Sequence, residues 1–240
     1  MKKIVLTFVL LASLLISCNS EAVAEEPPVL TEPGGTQIDP MPANPANPYD
    51  AAGRIHMDIF NAYLMMNTAN DTTITKISQS IKGLALANTD LMLLNEGYTT
   101  TDVSAEEMEQ ILQDPDTKLE TVITASPLTL VAKAQLKNFI ETVRLLENEE
   151  YDVIYKYILS FEFSVMENTH LNNFDKRVLL LTSSVIRHWS YNIRKREDKD
   201  WSKSTGNHTG VVKGAILSPY TAVTTSLVST IAQNKNVISR

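Results

Sequence analysis

Residues 174–196 read FDKRVLLLTSSVIRHWSYNIRKR. Phe174, Val178, Leu181, Val185 and Trp189 recur at spacings of four, three, four and four, the repeat of one helix face and not of a strand. Leu179, Ile186 and Ile193 lie beside that stripe and widen it, so this helix is expected to be covered on more than one side and to sit centrally. Asn173 is placed to cap it.

The same period runs through the chain on either side. Ile55, Ile59, Ala62 and Met66 mark a first helix, with Asn47-Pro48 as its cap and first-turn proline. Asp71 or Thr72 can cap a second, striped by Ile74, Ile77, Ile81, Leu84 and Leu91, with Gly97 as its stop. Ser104 and Glu107 form a capping box for a short helix to about Gln113. Ser126-Pro127 opens a helix striped by Ala132, Leu136, Phe139, Val143 and Leu146, and Tyr151, Ile154, Ile158, Phe161 and Val165 stripe the next. After a looser stretch over 206–214 comes a weakly polar run to Gln233, where Ser218-Pro219 caps a new helix or Pro219 kinks a long one. Strand alternation is absent; Thr99–Thr101 and Thr221–Thr225 are the only stretches with any β character. The spacing predicts an all-α bundle of about six to eight mostly antiparallel helices joined by short connections. No fixed-period repeat suggests a solenoid.

The 240 residues carry a net charge of −7, 43% hydrophobic residues and one cysteine. That length fits one domain of ordinary size, and that apolar fraction excludes wholesale disorder. A single cysteine excludes a disulfide framework and a cysteine-rich zinc site. The acidic balance, with a pI near 5.2, argues against nucleic acid as a partner.

The N-terminus, MKKIVLTFVLLASLLISC, has Lys2 and Lys3 ahead of a short apolar run, Ile4 to Ile16, too short to span a bilayer. Its last four residues, Leu15-Ile16-Ser17-Cys18, resemble the lipobox of bacterial lipoproteins. That resemblance implies cleavage between Ser17 and Cys18, a diacylglyceryl group on the Cys18 sulfur, and acylation of the new amine. Two or more chains would hold the protein stably on a membrane. Removing Met1–Ser17 takes away two lysines and moves the net charge from −7 to −9. Asn19, in place of an aspartate, points to the outer membrane of a Gram-negative envelope.

Residues 19–48 hold seven of the ten prolines, five acids and no lysine or arginine. Such a segment is expected to be disordered and extended, reaching about 3.1 Å per residue. The expected organisation is therefore a signal and lipidated cysteine (1–18), a proline-rich acidic tether (19–48) and a single helical domain (49–240).

Candidate chemistry is sparse. His56, His170, His188 and His208 have no metal-ligand spacing, so no metal and no cofactor is expected. There is no nucleophile elbow and no phosphate-cradling loop. Glu162, between Phe161 and Phe163, stands out among the carboxylates as a partly exposed acid beside an apolar stripe. Arg187, His188, Trp189, Tyr191, Arg194, Lys195 and Arg196 form a basic, aromatic cluster. It reads as a patch for an anionic sugar, phosphate or headgroup, or as cations complementing a helix C-terminus. Asn70-Asp71-Thr72 and Asn207-His208-Thr209 match the glycosylation triplet by chance in an exported bacterial protein.

Asn47-Pro48-Tyr49-Asp50, followed by Gly53 and His56, resembles a segment of exported Bacteroidota proteins, with Met57 where those often carry Asn. Physically it reads as a helix-entry motif: Pro48 fixes the entry, Tyr49 staples the first turn and Asp50 favours the positive helix end. The other reading is a site in which Asp50, His56 or Asp58 binds a ligand. Asp50 and His56, six residues apart, cannot meet within one helix.

Together these features point to a lipid-anchored envelope domain that binds or scaffolds and does not catalyse. Its expected partners are the membrane, through the lipid, and another envelope protein or a cell-wall component. One alternative is an envelope hydrolase whose site is assembled from separated helices, using Glu162, His56 or His188. The other is a toxin- or bacteriocin-like protein that inserts its C-terminal segment.

Overall fold

A computed structural model describes residues 42–66, 73–195 and 205–234 of the chain. Among them every regular element is a helix, and there are ten: α1 (Asp50–Met65), α2 (Ile74–Ala87), α3 (Thr89–Leu94), α4 (Ala105–Gln113), α5 (Pro115–Ala125), α6 (Leu130–Leu145), α7 (Tyr151–Glu167), α8 (Asn173–Lys195), α9 (Thr205–Leu217) and α10 (Pro219–Gln233). The all-α expectation holds. The helix number exceeds the expected six to eight because short polar caps divide the chain more finely than the apolar stripes do.

Three of these divisions run against the expected boundaries. The stripe from Ile74 to Leu91 is cut at Asn88, whose extended backbone ends α2 and whose side chain accepts from Leu91 N at 2.9 Å to start α3. Asp114 accepts from Thr117 N at 3.1 Å ahead of Pro115, which opens α5, a helix the apolar pattern does not mark. Ser126 closes α5, donating to the Ile123 carbonyl, and it is Thr129 that caps α6. Other caps are Ser104 on α4, as expected, Thr73 on α2, and Asn172 on α8 in place of Asn173. Asp71 and Thr72 lie outside the described residues. Gly97 sits at φ +81° in the turn after α3, the left-handed conformation that favours glycine.

Ser218 caps α10 through Thr221 N at 3.1 Å, so Pro219 begins a helix and does not kink one. The Thr221–Thr225 stretch is helical. Every residue of α10 from Pro219 to Ala232 is buried, and α10 touches α1, α2, α3, α4, α8 and α9. Its packing on α9 is close because Gly206, Gly210 and Gly214 fall four residues apart on one face. A Cβ at Gly214 would strike the backbone of Thr221 and Ala222, and one at Gly210 would strike Ser229 and the Thr225 carbonyl. Small residues that let two backbones approach explain how the loosely patterned 206–214 stretch is nonetheless a helix in the core. None of the helices described is long and apolar enough to cross a membrane.

The long helix α8 is the second central element, as its wide stripe predicts, and is buried continuously from Arg177 to Trp189. It packs on α1, α6, α7 and α9. Phe139 of α6 stacks on Phe161 of α7 at 4.2 Å between centroids, closing that side of the core. Residues 42–48, which composition assigns to the tether, are part of the folded bundle, held by contacts to α7 and α8. Proline content and like charge do not register such contacts, because the partners are polar groups buried far along the chain.

Candidate functional site

Beneath the N-terminus of α1 lies a cluster of charged and polar side chains, buried at its centre and part-exposed at Asn44 and Asp50. Its hub is Arg187, in the middle of α8, with no exposed surface. Its Nη2 donates to Asp50 Oδ1 at 2.7 Å and to Glu162 Oε1 at 3.2 Å, its Nε to Glu162 Oε1 at 3.3 Å, and its Nη1 to the Pro42 carbonyl. Arg187 is therefore neither a surface cation nor a last-turn complement to the helix dipole. It binds the entry segment, the start of α1 and the middle of α7 to one another.

Glu162 is fully buried, not partly exposed as its flanking residues suggested. Its oxygens accept from Asn47 Nδ2 at 2.9 Å, Ser183 Oγ at 2.9 Å and Asn44 Nδ2 at 2.6 Å, besides Arg187. A carboxylate offers about four lone-pair sites. Oε1 accepts from Asn47, Ser183 and Arg187 and Oε2 from Asn44, so both oxygens are hydrogen-bonded, which is how a charge is tolerated in the interior.

Asp50 accepts from Asn44 N at 3.0 Å and lies 3.3 Å from His188 Nε2. Burial alone would raise its carboxyl. The hydrogen bonds from His188, Arg187 and the Asn44 amide, with the guanidinium charge, outweigh burial and hold it well below its ordinary value of 3.8. Ser184 completes the layer, accepting from Gly53 N and donating to the Asp50 carbonyl, both at 3.0 Å. A Cβ at Gly53 would collide with the His188 ring and the Ser184 carbonyl, so glycine is needed for α1 to lie this close to α8.

His56, further along α1, lies in a second buried layer against α8 and α10. Its Nε2 is 3.0 Å from Ser226 Oγ, and Ser226 in turn donates to Asn207 Oδ1. With the hydroxyl hydrogen directed to Asn207, His56 Nε2 carries its own hydrogen and donates to Ser226. His56 Nδ1 has no hydrogen-bond partner. Burial, aided by the His188 charge, pushes the imidazole down to about 3, so it is neutral near pH 7. A serine beside a histidine is the start of a nucleophile–base pair. Here the hydroxyl hydrogen points away from the histidine, no carboxylate bonds the second ring nitrogen, and neither residue has any exposed surface.

Of the sequence-based candidates, Asp50, Glu162 and His188 therefore converge, and His56 lies beyond them. Trp189 is a core residue, edge-on to His56 at 5.8 Å and to Phe60 at 5.2 Å between centroids. Tyr191 packs on Tyr151 at 5.1 Å. Arg194 donates to the carbonyls of Glu147 and Glu149, tying down the α6–α7 connection. The described members of the basic, aromatic cluster, Arg187 to Arg194, therefore form no continuous surface patch, and the Lys195 side chain and Arg196 lie outside the described residues. Asn207 is buried, so its triplet is inaccessible to a glycosyltransferase in the folded protein. Cys18, Ser17 and Asn70 lie outside the described residues. Among the described residues, no group of three or more His, Asp or Glu is arranged to hold a metal ion.

Reasoning from sequence missed Asn44, Asn47, Ser183 and Ser184 as members of this site, and missed Arg187 as its hub. The available signal was Ser183 and Arg187, one turn apart, inside a helix otherwise apolar on that side. The chain matches no protein-family model, and no curated protein or solved structure is significantly similar to it.

Proposed function

We propose that this chain is a lipid-anchored cell-envelope protein whose helical domain binds or scaffolds a partner, and that its buried polar centre fastens the domain to its tether. The observation that carries this reading is the clamping of residues 42–50 by Arg187 and Glu162. The anchoring peptide enters the domain at its most tightly bonded point, so load on the tether passes into the two central layers of the bundle.

The hydrolase alternative is weakened by how its candidate groups are used. Glu162 spends its lone pairs on Asn44, Asn47, Ser183 and Arg187, and His56 is a buried donor to Ser226. The insertion alternative is weakened by α10, which is buried throughout and would have to leave the centre of the bundle to meet a membrane. The lipobox resemblance at Leu15–Cys18 supplies the anchor, in keeping with an outer-membrane location.

Membrane fractionation of cells expressing the native protein and Cys18→Ala tests the anchor. The native protein should sediment with membranes and carry an acylated Cys18 by mass spectrometry of its mature N-terminus, while the variant should be released. Equal membrane retention of both would overturn the reading.

A further inference from the structure

Beside the clamp, at the Tyr49 turn, is an open pocket of about 600 Å³, lined by Pro48, Tyr49, Tyr98, Met166, Phe174 and Arg177 among others. Its size is that of a small-molecule site. Its walls are largely apolar, its two ionised groups are Lys176 and Arg177, and no acid lines it.

Arg177 is only 5% exposed, yet its Nη1 has no hydrogen-bond partner and no carboxylate pairs with it among the described residues. Its Nη2 has a single long bond, 3.4 Å, to the Ile216 carbonyl. The neighbouring acids are engaged elsewhere: Asp175 with Thr129, and Asp50 with Arg187 and His188. The Tyr98 and Phe174 rings lie 4.7 Å and 5.1 Å from the guanidinium carbon. They offset part of the cost of burying the charge and leave Nη1 without an acceptor. An unpaired buried guanidinium normally destabilises a fold, so its presence beside an aromatic pocket calls for an anion.

We propose that this pocket binds a small carboxylate carrying a flat, ring-containing body. The carboxylate pairs with the Nη edge of Arg177, whose planar donors match it, and the ring lies among Tyr49, Tyr98 and Phe174. Tyr98 is the cover. Its backbone is fixed by bonds with Asn95, while the residue as a whole is 41% exposed, so rotation of its side chain opens the guanidinium edge to the ligand. The inference deepens the binding role proposed above and rests on it.

The test uses the mature protein with 15N-labelled arginine and sodium benzoate as the probe, with benzyl alcohol as the uncharged comparison. Benzoate should shift the Arg177 side-chain resonance saturably at concentrations up to ~10 mM, and benzyl alcohol should not. Arg177→Met should remain folded and weaken benzoate at least about tenfold. Should that variant fail to fold, the native Arg177 resonance still decides. An unmoved Arg177 signal, equal binding of benzyl alcohol, or undiminished binding by a folded Arg177→Met would each overturn the site. Those results would leave untouched the Cys18-dependent membrane retention on which the anchoring reading depends, so the two can fail separately.

Discussion

Arg187 and Glu162 form an ion pair, 3.2 Å between Nη2 and Oε1, in which neither side chain has any exposed surface. Such a pair gains little over a well-packed apolar pair of the same shape, but losing one member strands a charge in the interior. Glu162→Ala should therefore cost about 3–5 kcal/mol of unfolding free energy. The double variant Glu162→Gln with Arg187→Met should cost clearly less than Glu162→Gln and Arg187→Met summed, because it removes both buried charges of the pair and leaves the part-exposed Asp50 with His188 and the Asn44 amide. Urea unfolding of the four proteins measures this cycle, and strict additivity would contradict the account.

Acid should erode the stability of the domain over two successive pH windows. The folded His56 imidazole is depressed to about 3 from 6.5. Its contribution to stability is thus complete above 6.5 and is lost as pH falls toward the folded value, because only the unfolded chain takes up the proton. His56 alone should contribute about 1 kcal/mol per pH unit over that window, and His208, which burial also pushes down to about 3, adds a comparable slope over the same range. Asp50 is also depressed, so its contribution is present above its ordinary 3.8 and disappears only as pH falls through its lower folded value. Melting temperatures measured from pH 7.5 downward should fall for the native protein. They should fall less steeply between pH 6.5 and pH 4 for His56→Gln; identical slopes would contradict the assignment.

The α9–α10 contact depends on the absence of side chains. Gly214→Ala places a methyl group against the backbone of Thr221 and Ala222, which cannot move aside as a flexible side chain could. We expect a loss of about 1–3 kcal/mol. The exposed Gly83→Ala, with open space around it, should be neutral or slightly stabilising, since alanine favours a helix over glycine. Thermal melts of the two variants should separate, and similar values would contradict this packing.

These relationships mark what the sequence could and could not disclose. The stripes on α6, α7 and α8 are periodic because each helix buries one continuous face, so their existence and their core residues were legible. Helix α5 was not, because its buried positions, Leu119, Val122 and Ile123, are few and its start is a polar Asp114-Pro115 cap. Helix α9 was obscure because glycines, not apolar side chains, form its contact face. The polar centre was half legible. Asp50 and Glu162 stood out locally, but Asn44 and Asn47 reach Glu162 across more than a hundred residues. No local pattern encodes that pairing, and proline content placed both asparagines in the tether.

Whether the buried charges exist to hold the entry segment is tested most directly by replacing residues 42–48 with a glycine–serine sequence of equal length in the mature protein and measuring unfolding free energy in urea. The replacement strips Glu162 of Asn44 and Asn47, and Arg187 of the Pro42 carbonyl. A side-chain bond to a charged group is worth about 1.5–3 kcal/mol, so the account predicts a loss of at least ~3 kcal/mol. Unchanged stability would show that residues 42–48 are only tether, and would contradict it.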